Sequence, residues 1–248
     1  MHLNRHNSTP KQSSIALSTL LTAVLATPVM ADGLSGSGEL GYSDSDGNTV
    51  STSLYGSLKA KYTQPVYEIK TLIEANYKSE NDIQTQERYL LDAQMNRFYN
   101  EAHNYYSFVG ARFEKSKFEG VDLDATYTLG LGKELYKTPS TQFLVELGVG
   151  YQTIDYSDEF GNGSEDQVIG RFKAEVNHKL TQYADFSQDV TATFGEANTK
   201  TEANTAVKVK MAEKLRLSVG YKYRHNSDPA DGALKLDTQT LITLVYDF

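Results

Sequence analysis

The feature that most constrains this chain of 248 residues is an alternation of apolar and polar side chains with a period of two. In residues 66–78, VYEIKTLIEANYK, one face carries Tyr67, Ile73 and Tyr77, and the other carries Glu68 and Glu74. Successive side chains of a β-strand point to opposite faces, whereas a helix would scatter these residues around its axis. The same pattern returns in residues 167–180, 205–211 and 216–225. The sequence therefore predicts an all-β fold.

Segments of this kind recur along the whole chain after the first 33 residues. Twelve are predicted, near residues 34–43, 49–63, 66–79, 87–99, 105–118, 125–137, 143–157, 167–181, 185–196, 204–212, 215–226 and 235–248. Connections after even-numbered strands are short, whereas those after odd-numbered strands, such as SENDIQTQE and NSDPADG, are longer and acidic. These longer connections are predicted to be outer loops at residues 43–48, 79–88, 117–124, 157–166, 196–203 and 226–234. This alternation and an even strand count are typical of outer-membrane barrels. We predict a transmembrane antiparallel up-and-down β-barrel of about twelve strands, with ten or fourteen as alternatives.

Residues 1–31 have the composition of a cleaved signal peptide. Arg5 and Lys11 lie in a leader without acidic residues, an apolar stretch follows at residues 15–26, and Val29 and Ala31 provide small side chains before a cleavage site. The apolar stretch is shorter than the roughly 18 residues that a membrane-spanning helix needs. We therefore expect a signal peptide at residues 1–31 and a barrel at residues 32–248, with both barrel termini on the periplasmic side.

The main alternative fold is a soluble β-sandwich or lipocalin-like barrel in the periplasm. Such a protein would also alternate, but its apolar face would be its core. The predicted strands are longer than the five or six residues usual in soluble sheets, and a small core would have to hold many of the 17 tyrosines. The membrane barrel is favoured because aromatic girdles and polar interiors are predicted jointly only there.

The polar faces of the strands predict a lumen of mixed charge with a slight excess of bases. A basic track is predicted at Lys59, Lys61, Arg171, Lys173, Lys208, Lys210, Lys222 and Arg224, and lumen acids are predicted at Glu68, Glu74, Glu146 and Glu175. These charges fit a narrow, weakly anion-preferring aqueous pore. They equally fit a barrel whose charges pair across the lumen and close it, because only barrels clearly larger than eight strands leave an open channel.

No motif in the sequence points to catalysis or to a metal. The chain has no cysteine, and His103, His178 and His225 are scattered. Residues 44–48, DSDGN, are predicted to be a hairpin turn, because the distal glutamate of a calcium loop is missing. We expect no enzyme, no catalytic residue and no cofactor. Four glycines are predicted to face inward and to make room for bulky neighbours or curvature: Gly130, Gly132, Gly148 and Gly150.

Four stretches together resemble one protein family. They are GELGYSDSDGNTVSTSL (38–54), NYYSFVGARFEKSKFEGVDLDATYTLGLGKELY (104–136), FLVELGVGYQTIDYSD (143–158) and VGYKYRHNSDPADG (219–232). They are similar to the salt-induced outer membrane proteins, a domain of unknown function found in Gram-negative bacteria, over most of residues 36–248. Members often carry a tryptophan near the first strand, and this chain has none. The resemblance implies an outer-membrane barrel and an envelope response to salt or osmotic conditions, and it supplies no catalytic residues and no substrate.

The C-terminal sequence LITLVYDF is predicted to be the strand that closes the barrel against residues 34–42, because an open sheet edge is not tolerated in lipid. Its lipid-facing residues would be Ile242, Leu244, Tyr246 and Phe248, which also resemble the signal read by the barrel assembly machinery. We expect a monomer whose partners are outer-membrane lipid, lipopolysaccharide and that machinery, and no nucleic acid. The expected function is a narrow channel for ions or small solutes. The alternatives are a non-conducting structural or binding barrel that acts through acidic loops, and an uptake pore for acidic oligosaccharides like the oligogalacturonate porins.

Overall fold

A computed structural model describes residues 32–45, 51–157, 163–230 and 232–248. The predicted signal peptide and most of the predicted 44–48 turn lie outside the described residues. In these described ranges, twelve strands form one closed barrel in which every strand pairs with its sequence neighbours and β1 pairs with β12. All pairings are antiparallel, so the prediction of a twelve-stranded up-and-down barrel is confirmed.

The strands are long, as a membrane-spanning barrel requires. They are β1 (Leu34–Ser45), β2 (Ser51–Thr63), β3 (Tyr67–Glu80), β4 (Ile83–Phe98), β5 (Tyr105–Ser116), β6 (Val121–Lys137), β7 (Thr141–Tyr156), β8 (Ser164–Lys179), β9 (Ala184–Phe194), β10 (Thr199–Lys210), β11 (Leu215–Asn226) and β12 (Leu236–Asp247). A short 3-10 helix, Lys117–Glu119, connects β5 to β6. Within the described ranges, no helix has the length and apolar character needed to cross a membrane.

One end of the barrel differs from what the sequence predicts. We call the end where β1 begins and β12 ends the terminal end, and the opposite end the far end. At the far end the predicted loop 79–88 is wrong, because β3 and β4 continue to a two-residue turn formed by Asn81 and Asp82. Both residues have positive φ, 51° and 63°, which suits the tightest class of hairpin turn and is tolerated best by such side chains. The predicted loop 196–203 is likewise mostly strand, since β10 begins at Thr199.

The outer surface of the barrel is apolar and its inner wall is polar. Outward side chains such as Ile73, Leu129 and Val168 are 48%, 59% and 73% exposed, whereas inward Glu74 and Asn96 are buried. Soluble monomeric proteins rarely expose a continuous apolar surface of this extent to water. The arrangement matches a barrel that presents its apolar face to lipid and its polar face to the lumen.

Exposed tyrosines form two girdles around the outer surface. The girdle near the terminal end comprises Tyr99, Tyr105, Tyr136 and Tyr183, and the other comprises Tyr42, Tyr77, Tyr89, Tyr127, Tyr151 and Tyr221. Along β4 the two girdles are separated by the stretch from Tyr89 to Tyr99, which spans roughly 25 Å for a tilted strand. This spacing is the height of the apolar band of outer-membrane barrels, so tyrosines supply most of the interfacial aromatic side chains in the described part of a chain without tryptophan.

The inward glycines of β6 and β7 accommodate two large aromatic side chains of β5. Tyr106 and Phe108 are 3% and 2% exposed and lie against the inner wall. A Cβ atom added to Gly132 would lie 2.2 Å from the Tyr106 ring, and one added to Gly130 would lie 2.7 Å from the Phe108 ring. Both distances are too short for any real contact, so the prediction that these glycines make room for bulky neighbours is confirmed.

The seam that closes the barrel joins β1 and β12. Its register runs from Ser37↔Asp247 to Leu40↔Leu244, and the amide N–H groups of Gly36 and Phe248 each donate to the other's carbonyl at 3.0 Å. The predicted pairing of the C-terminus with residues 34–42 is confirmed. Ile242 and Leu244 are exposed on the outer surface, whereas Tyr246 is half-buried and the Phe248 ring packs over Gly36.

Candidate functional site

A cavity of about 970 Å³ extends along the barrel axis. Its lining includes Gly36 and Phe248 at the terminal end and Pro229 and Leu234 at the far end. Seven residues of the predicted basic track line this cavity: Lys59, Lys61, Arg171, Lys173, Lys208, Lys222 and Arg224. Lys210 does not, because β10 ends there and its exposed side chain lies at the rim of the wall. The prediction for Lys210 is therefore corrected.

The predicted lumen acids divide into two pairs. Glu74 and Glu175 line the cavity, whereas Glu68 and Glu146 are buried in its wall. Glu146, 1% exposed, accepts hydrogen bonds from Arg171 Nη1 at 2.8 Å, the Tyr106 hydroxyl at 2.9 Å and Gln94 Nε2 at 2.8 Å. Glu146 is thus a satisfied structural carboxylate that also fixes the Tyr106 ring and the Arg171 guanidinium.

The far half of the lumen is crossed by a network that we call the ion-pair bar, formed by Glu74, Arg88, Arg112, Glu114 and Glu202. Arg88 is 5% exposed and donates to Glu74 at 2.8 Å and to both oxygens of Glu114 at 2.6 and 3.0 Å. Arg112 donates to Glu114 at 2.9 Å and to Glu202 at 2.8 Å. Every charge of the bar has a partner of opposite sign, as buried charges require.

The bar connects opposite sides of the barrel. Arg112 lies on β5 and Glu202 on β10, five strands away around the ring in the shorter direction. Arg224 of β11 reaches Glu114 of β5 at 3.4 Å, and β11 and β5 are diametrically opposite in a ring of twelve. Side chains from both walls therefore meet inside the lumen and narrow it.

Sequence reasoning missed two members of the bar. Arg88 and Glu202 were predicted in the outer loops 79–88 and 196–203, whereas the structure places both inside strands with inward side chains. The signal that could have located Arg88 is the Asn81-Asp82 dipeptide, because a two-residue turn there extends the alternation through β4. Glu202 has no comparable local signal.

The far mouth is narrowed by the connection between β11 and β12, residues 227–235. Ala230 is 2% exposed and packs in an apolar socket formed by Val121, Ile154 and Tyr156. The segment is also fixed at its start, where the Ser227 amide donates to the Thr199 carbonyl at 3.0 Å. This connection therefore folds over the mouth, where Pro229 and Ala230 contribute to the cavity lining.

The 3-10 helix beside this mouth is held by an ion pair. Arg224 Nη2 donates to Glu119 at 2.5 Å and also pairs with Asp237. Burial raises the pKa of Glu119, and the Arg224 guanidinium opposes that rise. Arg224 thus joins the 3-10 helix, β12 and the ion-pair bar.

The terminal half of the lumen has a different character, because several of its bases lack a carboxylate partner. Lys173 pairs with Glu175 at 3.0 Å and Lys70 with Glu68 at 3.2 Å. Among the residues that the structure describes, five bases of the cavity form no ion pair: Lys59, Lys61, Lys179 and Lys208 in the terminal half, and Lys235 at the far mouth. Apart from the exposed Lys235, the cavity is therefore bordered by paired charges toward the far end and by ammonium groups without a carboxylate partner toward the terminal end.

The histidines hold no metal-like arrangement. His103 stacks on Phe98 with ring centroids 4.1 Å apart and hydrogen bonds to the Pro65 carbonyl, and His178 bonds to Thr141. In the described ranges, no group of three or more His, Cys, Asp or Glu residues is placed to hold a metal ion.

Comparison with known proteins assigns the family. The profile of the family described as "Protein of unknown function, DUF481" matches residues 38–248. The chain belongs to this family. The DUF481 chain is 28% identical over 207 residues to "Uncharacterized protein YdiY" of Escherichia coli (strain K12), which covers 83% of the chain and 80% of that relative.

Two solved structures share the fold. The NanC porin has a TM-score of 0.51 and 13% identity, covering 86% of the DUF481 chain and 98% of its own. The COG4313 outer membrane channel from Pseudomonas putida F1 has a TM-score of 0.52 and 11% identity, covering 87% and 95%. Together with the apolar outer face and the tyrosine girdles, this fold makes the DUF481 chain an outer-membrane β-barrel.

Proposed function

We propose that this barrel is a narrow channel for ions and small solutes. The observation that supports it is the cavity of about 970 Å³, whose charged lining reaches both ends of the barrel. Polar and charged side chains along a membrane-spanning lumen stabilise water and ions that the surrounding lipid excludes. The outer-membrane fold and this lining favour transport over catalysis.

The ion-pair bar sets the narrowest part of the proposed channel. Because Arg112 and Glu202 reach each other from opposite walls, removal of both side-chain charges removes a cross-lumen contact without leaving a buried charge unpaired. Asp92 loses its 4.0 Å contact with Arg112, but its side chain is 37% exposed. Arg88 would keep Glu74 and Glu114 as partners. The double variant R112Q/E202Q is therefore expected to fold and to have a wider lumen.

Single-channel conductance in planar bilayers tests the proposal. We expect small steps for the unmodified barrel and larger steps for R112Q/E202Q. The matched control is K115Q/D122N, which removes a pair of similar chemistry at 3.4 Å whose side chains are about half exposed and lie outside the cavity. The control should conduct like the unmodified protein. Absence of steps from both the unmodified barrel and R112Q/E202Q would refute a channel.

A second candidate is a non-conducting barrel that acts through its surface loops. The cross-lumen pairs and the inward connection at residues 227–235 favour it, since both narrow the lumen. In that case loop deletions should change the phenotype, whereas lumen substitutions should not. This candidate would be supported if R112Q/E202Q gave conductance steps and the unmodified barrel gave none.

The acidic-oligosaccharide pore is the least supported alternative, because a sugar chain would have to pass the ion-pair bar. Block of the chloride current by oligogalacturonate in the unmodified barrel would support this alternative.

A link to salt or osmotic stress also belongs to the proposal. Growth of a deletion strain at high salt, restored by the unmodified barrel and not by a variant unable to conduct, would support it.

The cellular setting is proposed together with the function. We propose that residues 1–31 are removed on export, that the barrel assembly machinery inserts a monomer, and that the terminal end faces the periplasm. The far end then faces lipopolysaccharide. Cysteines placed in the turn at residues 211–214 should be protected from a membrane-impermeant thiol reagent in intact cells, and labelling there would reverse the orientation.

A further inference from the structure

Two lysines of the terminal half have an unusual environment. Lys59 and Lys208 line the cavity, yet neither makes an ion pair with a described carboxylate. They share this with Lys61 and Lys179, whereas bases nearer the ion-pair bar have close partners: Lys222 lies 2.5 Å from Glu74, and Lys173 lies 3.0 Å from Glu175. The ammonium groups of Lys59 and Lys208 therefore keep donors for which the protein supplies no charged acceptor.

The two ammonium groups belong to the lining of the same cavity. Lys59 lies on β2 and Lys208 on β10, with β1, β12 and β11 between them around the wall. They are close enough to interact electrostatically, and Lys59 also interacts with Lys222 of β11. Like charges brought together in a confined cavity repel, and an anion between them relieves that repulsion.

The nearby carboxylates are engaged elsewhere. Glu39, between the two lysines on β1, accepts a hydrogen bond from the Thr243 hydroxyl. Asp189 accepts one from Asn204 Nδ2 at 2.9 Å. Asp247 and Asp185, the residue opposite Lys208 on β9, both pair with Arg216. These acids lower the local positive potential without contacting either ammonium group, so the site favours an anion small enough to reach both lysines.

We propose that Lys59 and Lys208 form a binding site for small dianions, molecules with two carboxylates or one doubly ionised phosphate. A dianion satisfies both ammonium groups at once, whereas a monoanion of the same size leaves one without a partner. The site lies on the terminal side of the ion-pair bar, so ligand enters from that end. The inference deepens the proposed channel by naming a solute class, but binding itself does not require conduction.

Ligand-observed NMR on the full barrel in detergent micelles tests the site. Saturation transfer to succinate, a dianion, is compared with transfer to butyrate, a monoanion with the same number of carbons, and inorganic phosphate is followed by its phosphorus line width. We expect succinate to bind at least about tenfold more tightly than butyrate, and K59Q/K208Q to reduce succinate and phosphate binding about tenfold.

The matched control is K133Q/K214Q, which removes two exposed lysines at the same end of the barrel but outside the cavity. This control should bind succinate like the unmodified barrel, and heat-modifiable migration on gels should show that both double variants are folded. Equal binding of succinate and butyrate, or equal loss in both double variants, would overturn the site while leaving the channel intact. If the barrel binds succinate selectively but gives no conductance steps, the binding site is supported and the channel is refuted.

Discussion

Replacement of Arg88 by methionine should strongly destabilise the barrel. Arg88 has a side-chain exposure of 6% and pairs with Glu74 at 2.8 Å and Glu114 at 2.6 Å. The R88M variant keeps the apolar volume but leaves these carboxylates short of one cation. Breaking a buried ion pair on one side costs roughly 3–5 kcal/mol, most of it from the charge that remains.

The expected loss lies at the lower end of that range. Lys222 still contacts Glu74 at 2.5 Å, and Arg112 still contacts Glu114 at 2.9 Å, so neither carboxylate is left alone. We expect about 3 kcal/mol for R88M. The matched control K78M removes a pair of similar length, Lys78 to Glu80 at 2.5 Å, whose side chains are both 40% exposed. Exposed pairs contribute at most about 1 kcal/mol.

Urea unfolding in lipid vesicles, followed by tyrosine fluorescence, measures both free energies of unfolding. A third variant, R88M/E114Q, removes one residual charge, while Arg112 keeps Glu202 and Arg224 keeps Glu119. It should recover part of the loss. The reasoning fails if R88M lowers the free energy of unfolding no more than K78M does. It also fails if adding E114Q to R88M lowers that free energy further, as an independent substitution would.

Three other predictions concern the seam and the far mouth. The substitution G36A should reduce the fraction of folded, heat-modifiable barrel, because its Cβ would lie 2.5 Å from both the Lys59 carbonyl oxygen and the Phe248 ring. The control G38A should leave that fraction unchanged, because its Cβ would meet nothing within 4 Å. Deletion of Phe248 removes both Gly36–Phe248 hydrogen bonds and should lower the amount of folded protein in the outer membrane; unchanged amounts would contradict a role in assembly. The A230D variant places a charge in the apolar socket of Val121, Ile154 and Tyr156 and should raise conductance by releasing the connection. The control A212D makes the same substitution at an exposed position outside the cavity and should leave conductance unchanged.

The architecture of this barrel could be predicted from sequence because its signal is repeated twelve times. In each strand, apolar and polar side chains alternate. Every second side chain, such as Ile73 or Val168, is more stable in lipid than in water, so each strand carries the same signal. The closing of the barrel could be predicted for the same reason, since β12 has no other edge to pair with than β1. A local pattern therefore determined both the strand count and the topology.

The ion-pair bar could not be predicted in the same way. Inward orientation of Glu74 and Arg112 follows from alternation, but their partners lie on strands distant in sequence. Arg112 and Glu202 are separated by 90 residues and meet only because β5 and β10 face each other across the lumen. Pairing across a lumen depends on barrel diameter, shear and side-chain reach, and none of these has a local signature.

The apolar side chains inside the barrel help to distinguish a closed lumen from an open one. Tyr106, Phe108, Ile154 and Ile169 are buried on the inner wall of β5, β7 and β8, and Val245 is buried on β12, so apolar groups already fill part of the interior. Replacing buried ion pairs by apolar side chains of similar volume is often neutral or stabilising, so a plug of this kind would have been the simpler way to seal the rest. The far half instead keeps charged groups that stay compatible with water, and the terminal half keeps lysines without partners. This combination favours a constriction in a hydrated path over a sealed core.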